Sequence, residues 1–356
     1  MKTINSRIRL LAYGLCLVAA LYNCKTKEVE SVTPFTYTFK GLENVTLPEV
    51  KPTTPASVSV VAASVNSSTV AAAVSSGLSS ITATGQVPAS VQQAATDVSK
   101  AVSPEKATAI AAAFTPTVIS NLASTGTLPA NLKTEVAAIA SNPALQAYLP
   151  TFTLPQVNGK TVGGRVGATD VTVPVAIANA TMDDACTVAA NTAYASAVAT
   201  LDAAKQTQSA PINAQFTQAQ TSIQTDATAC KSSKPATYDA YRAVALQQLN
   251  QGIATLSAAK SILGESTYNL LSVLYYVAYS QAVTGINTLQ AADTNTCDAV
   301  ATAKIANAQA ARDADLSQIN SNYTTAVASL QKARATAIAS CHNQGNGGRK
   351  GADEPE

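Results

Sequence analysis

Four cysteines constrain this chain more than any other feature. Cys186 and Cys230 are separated by 44 positions, and Cys297 and Cys341 by the same 44. At an offset of 111 the two blocks also align Asp202, Gln220 and Thr225 with Asp313, Gln331 and Thr336. Within the first block Ile212, Phe216, Ala219, Ile223 and Cys230 recur at helical spacing, and Tyr323, Val327, Leu330 and Cys341 hold the equivalent places in the second. Arg334 breaks the second stripe where Ile223 stood. Ser209-Ala210-Pro211 and Asn320-Ser321-Asn322 read as mid-block turns. Each block is therefore expected to be a helical hairpin with a cysteine at either end, and all four cysteines to meet at one end of a bundle. Three pairings are open; repeat symmetry favours Cys186 with Cys230 and Cys297 with Cys341.

Between the blocks, Pro235 is expected to open a helix carrying Leu246, Leu249, Ile253, Leu256 and Leu263 at helical spacing. A turn follows at Gly264-Glu265, and a return helix runs to about Ala292. That helix has no charge between Glu265 and Asp293, but Asn269, Ser272, Ser280, Gln281 and Asn287 would be costly in lipid. It reads as the innermost helix of the bundle, walled by the two hairpins. Tyr268, Tyr275, Tyr276 and Tyr279 crowd it. Core packing is the plain explanation for them; a contact surface or pocket is the functional one. Thr181-Met182-Asp183-Asp184 has the form of a helix cap.

The N-terminus carries Lys2, Arg7 and Arg9, an apolar run from Leu10 to Leu21, and then Tyr22-Asn23-Cys24. This layout is that of a secretory signal, too short for a comfortable membrane span. Leu21-Tyr22-Asn23-Cys24 resembles the lipobox of bacterial lipoproteins, with Tyr22 and Asn23 standing where the strict form has small residues. The resemblance implies cleavage after residue 23, lipid on Cys24, and membrane attachment through acyl chains. Lys25 in place of an aspartate implies an outer-membrane address. With Cys16 removed in the signal and Cys24 lipidated, four cysteines remain for an oxidising compartment.

Losing residues 1 to 23 removes three of 23 basic residues and no acidic ones, leaving 20 against 21. So neutral a chain offers no electrostatic footprint for nucleic acid. Residues from Thr26 to about Lys51 read as a tether, with a strand signal at Phe35, Tyr37 and Phe39 that has Phe152-Thr153-Leu154 as a candidate partner. From Pro52 to Thr96 there is no charged side chain, yet Val70, Val74, Leu78 and Ile81 share a helical face. Thr84-Gly85-Gln86-Val87-Pro88 returns in form as Thr125-Gly126-Thr127-Leu128-Pro129, glycine ending one helix and proline opening the next. Ser103-Pro104-Glu105 starts another helix, and Pro116 should interrupt it. Four or five short helices are expected up to Tyr148. Interrupting serines and threonines favour packing of small side chains over membrane insertion.

Pro150 to Pro174 reads as a small β element, with Asn158-Gly159 as a hairpin turn and Val166, Val171, Val173 and Val175 as further extended chain. Its glycines match no phosphate-loop pattern. Residues 343 to 356 read as a disordered tail. The fold class is thus mainly α: an Ala-rich antiparallel bundle of repeated hairpins C-terminally, short helices N-terminally, and a small β element between.

No nucleophile elbow, metal cluster or cofactor fingerprint is visible, and the only histidine, His342, stands near a helix end. Without CxxC spacing, the cysteines read as disulfides rather than zinc ligands. The expectation is a non-enzymatic, cofactor-free envelope lipoprotein, anchored by its lipid, with a structural role or a protein partner. The alternative is a carrier of a small apolar ligand in a bundle cavity lined by the tyrosines.

Overall fold

The computed structural model describes residues 37–162 and 185–343. The signal and Cys24, the valines from 166 to 175, the cap at 181–184 and the tail beyond 343 lie outside the described residues, as does the side chain of His342.

Five short helices follow one another: α1 (Thr69–Thr84), α2 (Ala89–Ala101), α3 (Pro104–Ala113), α4 (Pro116–Thr125) and α5 (Ala130–Ala140). Their boundaries follow from local chemistry. Ser68, Ser103 and Thr115 accept hydrogen bonds from the exposed N–H groups at the starts of α1, α3 and α4. Pro104 and Pro116 occupy first-turn positions, where proline's missing N–H costs nothing. Gly85 and Gly126, both at positive φ, close α1 and α4. On α1, Val74, Leu78 and Ile81 are buried as the periodicity requires, whereas Val70 at the first turn is 39% exposed. A 3-10 turn (Pro143–Tyr148) completes the series.

Two small antiparallel sheets join this region to itself. β1 (Val60–Val61) pairs with β4 (Gln156–Val157), which forms a hairpin with β5 (Lys160–Thr161); β2 (Ser64–Asn66) pairs with β3 (Thr151–Thr153). Asn158 and Gly159 both have positive φ, as a two-residue hairpin turn needs. The partner of Phe152 is therefore Val65, not the Tyr37–Phe39 stretch, which forms no strand.

The C-terminal half departs from the expected repeated hairpins. It is one hairpin of two long helices, α6 (Ala185–Ala258) and α8 (Glu265–Asn343), joined by the short α7 (Lys260–Leu263) and by Gly264 at positive φ. The turn expected at Gly264 is present; those expected at 209–211 and 320–322 are not. Pro211 and Pro235 lie inside α6, both exposed. An interior proline removes one backbone bond and costs about 3 kcal/mol. Ile212 beside Pro211 is buried, and Lys234 beside Pro235 pairs with Asp293 of α8 at 2.8 Å, so α6 is held to its partner next to the second proline.

An 11-residue recurrence sustains the pairing. Ile286, Cys297, Ala308, Ile319, Leu330 and Cys341 follow one another at that spacing on α8, and every one is buried. Ala190, Leu201, Ile212, Ala245 and Leu256 fall on one such lane of α6, also buried. Eleven residues make three turns at 3.67 residues per turn, so a lane with this period keeps facing the neighbouring helix.

By packing, the described residues divide into two units: residues 37–49, 185–207 and 319–343 form one, and 50–162 with 208–318 the other. In the first unit, Tyr323 donates to Asp202 at 2.7 Å, Arg334 donates to Asn191 at 2.7 Å, and Lys205 lies over the Tyr323 ring. The bond to Asp202, with burial, pushes the Tyr323 hydroxyl up to about 12. Asn322 donates to the Pro48 carbonyl, and Gly41 comes close to Ala333.

In the second unit the first turns of α8 form the centre. Leu270, Leu271, Val273, Leu274 and Val277 pack with α1 to α5 in one apolar core, to which Leu256 and Leu263 belong. Asn269 satisfies its buried amide on Thr108 at 2.9 Å. The innermost helix is thus walled by the short helices and by α6, not by two hairpins. Thr53 donates its N–H and hydroxyl to the buried carboxylate of Asp315, and Asn307 donates to Ala56, so residues 53–56 are fastened to α8. Among the described residues no single helix is long and apolar enough to cross a membrane; α3 and α4 pass that test only as a pair bent by 68°.

Candidate functional site

The four cysteines form Cys186–Cys341 and Cys230–Cys297, with Cα separations of 5.8 and 5.9 Å. This overturns the pairing within each block. Once α6 runs straight through the supposed turn, Cys186 and Cys230 lie 44 residues apart on one helix and cannot meet. Nor do four cysteines gather at one end: one bond lies in each unit. Among the described residues no group of three or more His, Cys, Asp or Glu side chains is placed to hold a metal ion. Cys24, the expected lipid attachment residue, lies outside the described residues.

The four tyrosines do not form one surface. Tyr276 stacks on Phe114 in the core, ring centres 4.4 Å apart. Tyr268 sits at the hairpin turn, under the ammonium of Lys260 and 3.4 Å from the Ser257 hydroxyl. Tyr275 and Tyr279, one turn apart on α8, instead line a common cleft.

That cleft has a volume of about 850 Å3 and lies wholly within the second unit. α1 supplies Ala71, Ala72, Ser75 and Ser79. α6 supplies Tyr241, Val244, Gln248, Gln251 and Gly252. Tyr275, Ala278, Tyr279 and Ala282 come from α8, with Val65 and Tyr148 beside them. Tyr241 and Val244 are exposed apolar groups on this wall, at 40% and 50%. No lining residue is Asp, Glu, Lys, Arg or His.

Two small residues shape the neighbourhood. A Cβ on Gly252 would overlap the Tyr275 ring, so glycine lets that ring lie against α6. A Cβ on Gly285 would likewise overlap Phe152, which with Val65 packs against Val283 and Ile286. Across the cleft, the Tyr275 hydroxyl meets the Ser75 hydroxyl at 3.0 Å. Tyr148 donates to Asp97 at 2.9 Å. Burial first, then the bond to Asp97, pushes the Tyr148 hydroxyl up to about 12.

Tyr279 is 3% exposed, and its hydroxyl oxygen has no hydrogen-bond partner among the described residues. Burial pushes the Tyr275, Tyr276 and Tyr279 hydroxyls upward, so all three remain protonated donors at neutral pH.

Sequence reasoning found two of the cleft's tyrosines and missed its other wall. The α1 contribution arises from small, uncharged side chains whose pattern marks only the buried face of that helix. The Gly252 signal was available, since an isolated glycine in a helical pattern has a packing reason; its partner, Tyr275, was not. Compared with protein-family models, with curated proteins and with solved structures, the chain matches none.

Proposed function

We propose that this chain is a lipid-anchored protein of the bacterial cell envelope, a scaffold or interaction protein held at the outer membrane through Cys24. The observation that carries this reading is the pair of disulfides in a chain that opens with a basic, apolar, cysteine-ended leader. Such bonds persist in oxidising compartments, and the leader supplies the route to one. Helix faces poor in charge, tied together covalently, suit a role in holding or meeting a protein partner better than one in chemistry. The test is metabolic labelling with an alkynyl fatty acid in cells that process bacterial lipoproteins. Label on the wild-type chain, lost together with membrane retention in Cys24→Ala, supports the reading; an unlabelled wild-type chain in the soluble fraction refutes it.

A second reading, that of a carrier for a small ligand, is favoured by the cleft beside Tyr275 and Tyr279. Its volume falls in the range of small-molecule sites.

A further inference from the structure

We propose that the cleft between α1, α6 and α8 takes an uncharged molecule with an apolar body and an acceptor oxygen, such as a ketone or an ester. This rests on the carrier reading and adds to it the chemistry of the ligand.

Charge is settled by the walls. With no cationic or carboxylate side chain lining the cleft, an ion entering it would lose hydration and gain no partner. The body is settled by Tyr241, Val244, Ala72, Ala278 and Ala282, which offer apolar surface.

The acceptor follows from a count of hydroxyl protons. Ser68, Ser79 and Thr255 donate to the carbonyls of Ala147, Ser75 and Gln251, and Tyr148 donates to Asp97. Those protons are committed. Ser75 and Tyr275 hold two protons between them, and their mutual bond uses only one. Tyr279 holds another with no acceptor. Beside the Ser67 and Tyr241 hydroxyls and the Gln248 and Gln251 amides of the same lining, the buried Tyr279 hydroxyl is thus a donor that no group among the described residues satisfies. A buried donor left unpaired is costly, so a ligand oxygen brought within reach by a small shift of Tyr279 gains a bond that the free protein lacks.

The test uses the full mature chain, with N-phenyl-1-naphthylamine as fluorescent reporter and three competitors of similar skeleton: hexanophenone, hexylbenzene and 4-pentylbenzoate. Saturable reporter binding is expected, with hexanophenone displacing it at roughly tenfold lower concentration than hexylbenzene and the benzoate weakest, the tenfold corresponding to one added hydrogen bond. Tyr279→Phe should narrow the ketone's advantage to about threefold or less while leaving hexylbenzene unchanged. That variant removes a group without a partner and is expected to fold as well as wild type. Ala72→Trp, which fills the cleft, should abolish displaceable binding and so locates the site.

Absence of saturable binding to the wild type would overturn the carrier reading itself. Saturable binding with the three competitors equal, or a ketone advantage undiminished in Tyr279→Phe, would overturn the ligand assignment and leave the carrier reading standing. Binding undisturbed by Ala72→Trp would place the site elsewhere and overturn the proposal.

Discussion

Cys230 is bonded to Cys297, and the midpoint of that pair, between residues 263 and 264, is also the midpoint of Cys186 and Cys341. In each unit taken by itself, the polar pairs across α6 and α8 keep this register. Asn191 with Arg334 and Asp202 with Tyr323 are centred within two residues of that point, as are Lys231 with Asp298 and Lys234 with Asp293. The equal spacings of 44 follow from this shared register in sequence, since cysteines bonded in pairs about one midpoint must stand at equal intervals on the two helices.

Closing loops of 67 and 155 residues should stabilise by about 4 and about 5 kcal/mol in the chain-entropy model, each taken alone. The double substitution Cys230→Ala/Cys297→Ala is expected to lower unfolding stability by about 4 kcal/mol. Urea titration without reductant measures this. An unchanged midpoint would show that the bond contributes nothing to the folded state.

Much of the fold was legible because short-range chemistry wrote it. Serine and threonine caps, Pro104, Pro116, Gly85 and Gly126 mark the short helices, and Asn158-Gly159 marks its hairpin. The hairpin count was misread because Pro211 and Asn320-Ser321-Asn322 look like breaks locally. The burial of Ile212 and the distant contact of Lys234 with Asp293 override that signal. An 11-residue recurrence of Ile286, Cys297, Ile319, Leu330 and Cys341 was present in the sequence, and it distinguishes a long paired helix from two hairpins. The cleft was half legible: Tyr275 and Tyr279 stood out, whereas Ser75 and Gly252 acquire meaning only from what they touch.

Gly252 is expected to tolerate no side chain without cost. Gly252→Ala forces the Tyr275 ring away from α6 and strains the bond to Ser75. Overpacking of this kind costs about 1–3 kcal/mol, offset in part by alanine's higher helix propensity. A destabilised variant with altered tyrosine fluorescence is expected, and a more stable one with an unaltered spectrum would contradict the packing described.

Asp97 gathers donors from Lys100, Gln93 and Tyr148, and the Lys100 bond foremost holds its carboxyl below the ordinary 3.8. A carboxyl lowered by folding stabilises fully above its ordinary value, and that contribution is lost as pH falls from about 4 through the lowered one. Tyr148 runs the other way: raised to about 12, it stabilises below about pH 10 and loses this as pH rises through 12. Asp97→Asn should therefore lower the urea midpoint at pH 7, with the gap to wild type shrinking as pH falls below about 4. A gap independent of pH would exclude the ionised carboxylate as its source.

Asp315 is buried with Thr53 as its partner through both the backbone N–H and the hydroxyl. Asp315→Ala leaves that N–H without its acceptor, a loss of about 1–3 kcal/mol, and should free residues 53–56 from α8. Limited proteolysis with elastase is expected to cut the variant after Ala56 faster than wild type. Equal rates would mean that this contact does not hold the segment.

The most direct measurement is the intact mass, without reduction, of the protein extracted from its native membranes, followed by peptide mapping. The predicted result is a chain beginning at Cys24 with added acyl mass and four hydrogens fewer than the reduced form, its cross-linked peptides joining Cys186 to Cys341 and Cys230 to Cys297. A non-acylated chain cleaved elsewhere, or free thiols at those four positions, would contradict it.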